Sequence, residues 1–362
     1  MRIAVLSLGT LGDVKPYVAL ARGLEAAGHT VTVATGKDFE ALVTEHGVRY
    51  APLRADLRRL VTSTEGRAAL AGSSGAAMRS LKPMLQQVFA DASTAVQEAD
   101  ALIYHPVLAF GCDLARRCRI PFVCAVASSP VMPTPGLPAI YGYSRHVLQT
   151  TPTWPASATI TGYWFMDPTN ESWQPPRELE NFLSAGPPPV YVGFGSMTSV
   201  DPSGLTDTVA AALHRTGQRG VMATGWGGLC RGAPRADVYM LEEAPHDWLF
   251  PRVAAVVHHG GAGTTAAGLR AGRPSVICPF TADQPLWGQI IHKLGAGPRQ
   301  VPQRVLTVEA LAEAMRVATT DETVRARAKL LGTQIRAEDG VAEAVRAVAR
   351  FLTPNHRPEP HL

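Results

Sequence analysis

The sequence has little of what would place it at once. Five cysteines among 362 residues is an odd number, and no Cys-x-x-Cys pair occurs, which disfavours both a disulfide framework and a zinc site. A reducing cytoplasm is the expected compartment. Charged residues are scarce at 18%, below the usual ~25%. The formal net charge of +4 is too slight for a nucleic-acid-binding surface. No apolar run approaches the ~18 residues of a transmembrane helix, so no stable membrane insertion is expected. The apolar stretch at the start runs into Gly-Thr-Leu-Gly-Asp instead of a small-residue cleavage site, so it reads as a buried strand and not as a leader peptide. Glycine (33) and proline (29) are plentiful enough for a loop-rich chain, yet short of a disordered composition. The length suits two domains, and a core of that size needs no covalent staple.

Apolar runs and breakers alternate along the chain. Strands are expected at Ile3–Leu8, Thr30–Ala34, Ala101–Tyr104 and Phe122–Val126, with helices from near Pro16, over Phe39–His46 and over Leu108–Arg117. Residues 128–188 carry proline after proline and read as loop and linker. A second series follows, with strands at Val190–Phe194, Gly220–Thr224, Val238–Leu241, Ala254–His258 and Ser275–Pro279. Helices are expected over Leu205–Thr216, Gly263–Ala271, Pro285–Leu294, 307–317 and 322–353. The fold class is therefore α/β, as two Rossmann-like doubly wound domains facing across a cleft. The expected boundaries are 1–165, a linker 166–188, a second domain 189–352 and a disordered tail 353–362.

The strongest chemical signal is Val256-Val257-His258-His259-Gly260-Gly261-Ala262-Gly263-Thr264-Thr265. A buried strand enters a glycine loop that opens a helix. Such a helix start presents unpaired N–H groups and the positive end of the helix dipole, which together suit a diphosphate. Thr264, Thr265 and His259 can add side-chain donors. A glycine loop of this kind also serves simply to pack strand on helix. The next strand delivers Asp283-Gln284, where a carboxylate and an amide can hold sugar hydroxyls or the Asp can cap a helix. Gly195-Ser196 ends another strand, and Ser196 is either a phosphate ligand or a plain cap. Asp13 follows the first strand and is a candidate base or the cap of the helix at Pro16. His105 follows a further strand and either orients or replaces Asp13 or fills a turn. His258, pointing opposite to His259, suits packing.

Several segments resemble the family 1 glycosyltransferases, most closely the branch acting on sterols and antibiotic aglycones. They are PPPVYVGFGSM, EEAPHDWLFPRVAAVVHHGGAGTT, RPSVICPFTADQPLWG, GYWFMDP and IRAEDGVAEAV, together with GTLGDVKPYVALARGLEAAGHTVTVAT near the start. The resemblance implies the GT-B fold, a UDP- or dTDP-sugar as co-substrate, no cofactor and no metal, and inversion at the anomeric carbon. It implies a diphosphate site of Ser196, His259, Gly261, Gly263 and Thr264, and a sugar site of Asp283 and Gln284. The nucleoside would lie against Ala244-Pro245-His246, with Trp226 a wall and Asp13 the general base. Three departures stand out. Leu11 replaces an Arg that usually precedes the Gly-Asp pair, and Glu243 occupies a position where other branches have a stacking Trp. The helical insertion that relatives carry between Pro138 and Trp154 is missing.

The partners expected are a nucleotide-sugar donor and a lipophilic small-molecule acceptor such as a sterol, polyketide, terpenoid or phenol. The alternative is a non-catalytic nucleotide-sugar-binding or auxiliary protein that has lost its acceptor lid. A dinucleotide oxidoreductase is disfavoured, because no Gly-x-Gly-x-x-Gly follows the first strand with an acid ~20 residues on.

Overall fold

The computed structural model describes residues 1–55, 75–128, 132–166, 173–195, 201–225, 228–230, 236–281 and 283–352. It divides into two units, Met1–Asn170 with Glu338–Leu362, and Glu171–Ala337.

The first unit holds a sheet of seven parallel strands: β1 (Arg2–Leu6), β2 (Thr30–Gly36), β3 (Arg49–Leu53), β4 (Ala101–Tyr104), β5 (Phe122–Val126), β6 (Ala139–Tyr141) and β7 (Ala158–Ile160). Their order is β3-β2-β1-β4-β5-β6-β7. β4 and β5 are buried along their whole length, as expected when helices cover both faces of a parallel sheet. The winding reverses between β1 and β4, and loops leaving the carboxyl ends of such strands are where α/β sheets bind ligands. The Gly9–Asp13 segment and His105 leave from those two ends.

Three expectations are corrected in this unit. The first helix spans Leu11–Ala26, five residues ahead of Pro16, which lies inside it. Proline lacks an N–H and its ring crowds the carbonyl four residues before it, here that of Gly12, so the helix carries Pro16 at the loss of one intrahelical hydrogen bond. Residues 128–188 are not all loop and linker. They supply β6, β7 and a helix Arg177–Ser184, the last belonging to the second unit. Finally, the stretch 322–353 is two helices, Glu322–Arg336 and Gly340–Leu352, and the second of these returns to the first unit instead of completing the second. Ala344, Ala347, Val348, Phe351 and Leu352 join a core with Val14, Val18 and Leu24 of the first helix. Gly340 permits that return, because a Cβ there would sit 2.2 Å from the Tyr163 carbonyl oxygen.

The second unit holds five parallel strands, β8 (Val190–Gly193), β9 (Gly220–Ala223), β10 (Val238–Leu241), β11 (Ala255–His258) and β12 (Ser275–Ile277), in the order β10-β9-β8-β11-β12. Side chains alternate between two apolar layers. Val190, Val192, Ala255 and Val257 enter one, and Tyr191, Val221 and Val256 the other. The winding here reverses between β8 and β11. The loops at that reversal begin at Gly195 and at His259.

Candidate active-site residues

In the first unit Asp13 is the third residue of its helix and does two jobs with two oxygens. Oδ2 accepts from the Thr10 backbone N–H at 2.7 Å and from Thr10 Oγ1 at 3.0 Å. This is a capping role, but as the third residue of a helix that starts at Leu11 behind the Thr10 cap, and not as the cap of a helix starting near Pro16. Oδ1 instead lies 4.0 Å from His105 Nε2, with the carboxylate side chain 22% exposed. The cap therefore fixes the rotamer that aims the second oxygen at His105. A side chain on Gly9 would come within 2.3 Å of Oδ2, so the turn before the helix has room only for glycine. The Ser7 hydroxyl donates to the Asp13 carbonyl and ties the first helical turn to the end of β1.

His105 is buried. Its Nδ1 accepts from the Val107 N–H at 3.2 Å, and its Nε2 is 2.8 Å from Ser128 Oγ at the end of β5. Burial lowers its basicity, and the nearby Asp13 charge opposes that in part. Tyr17 backs the ring edge-on at 5.5 Å and donates from its hydroxyl to the Ala125 carbonyl. Leu11 and Val107 are the exposed apolar side chains beside Asp13 and His105, at 48% and 62% exposure. Ser128 was not singled out from sequence; its position two residues past a buried strand was the one available signal.

In the second unit the helix after the glycine loop spans Ala262–Arg270, with Gly261 as its extended cap. The N–H groups of Ala262, Gly263 and Thr264 precede the first intrahelical bond, Thr265 N–H to the Gly261 carbonyl. The Thr265 hydroxyl is spent on the Gly261 carbonyl at 2.9 Å, which corrects its reading as a diphosphate donor. His259 stands between two glycines: a Cβ on Gly195 would lie 3.2 Å from its Cε1, and one on Gly261 2.4 Å from its Nε2. Gly195 also has φ +61, which side-chain-bearing residues rarely adopt. Burial pushes His259 down to about 4, so the ring is a neutral donor or acceptor near pH 7. His258 is fully buried on the opposite face, its Nδ1 accepting from the Gly260 N–H at 3.1 Å. It holds the loop, as its packing reading required.

Asp283 and Gln284 stand at the start of the helix Gln284–Lys293. Asp283 Oδ2 accepts from the Trp287 indole at 3.1 Å, and Gln284 Oε1 accepts from the N–H groups of Phe280 and Thr281 at 2.8 and 3.1 Å. The pair thus shapes its own loop. A Cβ on Gly260 would meet the Gln284 carbonyl at 3.0 Å, so the glycine loop and this loop abut. His246 stacks on Phe250 at 4.3 Å and 15°, which turns its ring plane against the core, and Ala244 is half-buried beside it. Ser196 and Trp226 lie outside the described residues. Among the described residues no group of three or more His, Cys, Asp or Glu is arranged to hold a metal, and no helix is long and apolar enough to cross a membrane.

Residues 3–110 match the glycosyltransferase family 28 N-terminal domain, and residues 232–351 match the erythromycin biosynthesis protein CIII-like C-terminal domain. Sterol 3-beta-glucosyltransferase UGT80B1 of Arabidopsis thaliana is 32% identical over 423 residues, covering 98% of this chain and 68% of that protein. The chain belongs to the family 1 glycosyltransferases. UGT80A2 of the same plant is also 32% identical, over 97% of this chain and 66% of its own length. The sterol 3-beta-glucosyltransferase of Emericella nidulans matches at 32%, over 97% of this chain but 30% of its own. The chain thus spans about two thirds of the plant relatives and under a third of the fungal one. These alignments run over 421 and 423 positions, more than the 362 residues here, so these glycosyltransferases carry stretches with no counterpart in this chain. Among solved structures, the glycosyltransferase of kitacinnamycin aligns with a TM-score of 0.77 at 21% identity, over 97% of this chain and 99% of that one. CalG4, the calicheamicin glycosyltransferase, aligns at 0.75 and 19%, over 97% and 98%. SsfS6 of Streptomyces sp. SF2575, complexed with thymidine diphosphate, aligns at 0.65 and 22%, over 97% and 99%. The fold is GT-B.

Proposed function

We propose that this chain is an inverting, metal-independent hexosyltransferase. It moves a sugar from a UDP- or dTDP-sugar to a hydroxyl of a lipophilic small molecule such as a sterol, polyketide, terpenoid or phenol. The observation that carries this reading is the division of labour at Asp13. One oxygen is locked into the helix cap, and the other is held at the reversal point of the sheet, where a base is needed. The acceptor hydroxyl gives its proton to Asp13 Oδ1 as its oxygen bonds to the anomeric carbon. The bond from that carbon to the diphosphate oxygen breaks, and the electron pair leaves with the nucleotide.

The developing charge on the diphosphate calls for preorganised donors. The N–H groups of Ala262, Gly263 and Thr264, the Thr264 hydroxyl and His259 fit that task, with Ser196 a further ligand. Such a helix start does the work a divalent ion does elsewhere. Asp283 and Gln284 would hold the hexose, and Ala244, His246 and Trp226 the nucleoside. The sterol 3-beta-glucosyltransferase relatives support the acceptor class, and the thymidine diphosphate complex of a structural neighbour supports a nucleoside diphosphate as leaving group. The exposed Leu11 and Val107 give the acceptor side an apolar rim.

The test is turnover of UDP-glucose and dTDP-glucose with a panel of sterols, phenols and macrolide aglycones, in the presence of EDTA, with products identified by mass and anomeric coupling constant. A glycoside of inverted configuration bears the proposal out. No glycoside and no donor hydrolysis, with UDP still bound, would establish the non-catalytic alternative.

A further inference from the structure

His105 has one ring hydrogen and two neighbours that could take it. The Val107 N–H donates to Nδ1, so Nδ1 acts as the acceptor and the hydrogen of the neutral ring sits on Nε2. Nε2 is 2.8 Å from Ser128 Oγ and 4.0 Å from Asp13 Oδ1. At 2.8 Å the first is a hydrogen bond; at 4.0 Å the second is not. The choice matters because Asp13 Oδ2 is committed to Thr10 and only Oδ1 is left to receive a proton. A ring N–H turned onto Oδ1 would form a charge-assisted hydrogen bond, stabilise the carboxylate and weaken it as a base.

We propose that Ser128 is a positioning residue for the reaction: by accepting the single ring hydrogen of His105 it keeps Asp13 Oδ1 for the acceptor hydroxyl. This rests on the transferase reading above. The ionisable groups nearby are Tyr17 on the first helix, edge-on to the His105 ring, and Cys124 on β5, which adjoins Tyr17. The Tyr17 phenol is held protonated by burial and donates to the Ala125 carbonyl, and the Cys124 thiol is pushed up to about 11 by burial. Over pH 5–9 these neighbours keep their protons, and the His105 hydrogen is the one that Ser128 directs.

The experiment uses the full chain, as wild type, Ser128→Ala and Ser128→Thr, with kcat and kcat/KM measured against pH, UDP affinity by calorimetry, and His105 ring tautomer by two-bond 15N–1H NMR. In Ser128→Ala the acid limb of the rate profile is expected to move about one pH unit lower and the plateau kcat to fall about tenfold. UDP affinity and donor KM should stay within about twofold, Ser128→Thr should restore the profile, and the His105 Nε2–H resonance should shift in Ser128→Ala alone. A Ser128→Ala profile superimposable on wild type, or a wild-type His105 carrying its hydrogen on Nδ1, overturns the proposal. The tautomer needs only the wild-type protein, so a Ser128→Ala chain that fails to fold leaves the proposal falsifiable. If the wild type forms no glycoside, the transferase reading falls by itself. The Nε2–H resonance then decides alone, and one unmoved by Ser128→Ala sinks the assignment.

Discussion

At the scale of single residues, Asp13 answers to two descriptions that the sequence set against each other. The cap and the proposed base are different oxygens of one carboxylate, a distinction that no residue pattern carries. Asp13→Asn keeps a cap acceptor and removes the base, so kcat should fall by about 10³-fold while UDP affinity stays within about twofold. Steady-state kinetics beside calorimetry checks both halves. Leu11 stands where an Arg is usual and is 48% exposed, so Leu11→Arg should raise KM for sterol acceptors about tenfold with the donor KM unmoved. The buried histidines give a pH dependence of stability. Burial holds His259 at about 4 and His258 well below the ordinary range, whereas the unfolded chain takes protons from ~6.5 downward. The unfolded state therefore binds more protons between these values. Stability is complete above about pH 6.5 and is lost as pH falls toward 4. Tm should drop over that window, and His259→Gln should flatten part of the slope in calorimetric scans.

Elements were legible in proportion to their apolar length. Strands of four or five wholly buried residues, such as Ala101–Tyr104 and Phe122–Val126, were read with their true ends, because a row buried on both faces leaves an uninterrupted apolar run. Ala139–Tyr141 and Ala158–Ile160 were missed: three residues among prolines carry no periodicity to detect. The start of the first helix was misplaced because Pro16 was read as its first residue, while Thr10 and Asp13 in fact set it. The glycine loop was read as a ligand cradle, but the seating of the His259 ring between Gly195 and Gly261 is a tertiary fact. Gly261→Ala would drive a methyl into that ring. We expect UDP affinity to fall at least tenfold, with Gly263→Ala milder, as titration calorimetry would record.

At the scale of the molecule, the second unit is one continuous stretch of chain and the first is made of two. Sequence alone set 322–353 down as a single helical run, because the Asp339-Gly340 break lies within an otherwise periodic pattern. The final helix seals the core of the first unit with Phe351 and Leu352. Phe351→Ala should cost about 3 kcal/mol, read as a lower urea midpoint for the first unit at unchanged UDP affinity.

That seal also sets an order of events at the ribosome. The earlier-made part of the first unit leaves the exit tunnel first yet lacks its last wall until Gly340–Leu352 has followed it. The second unit, closed by residue 337, can reach its native state while the earlier half still waits. Nascent chains arrested on a carboxy-terminal extension, so that residue 337 has left the tunnel while 340–352 is still inside it, should thus resist protease in the second unit and be cut in the first.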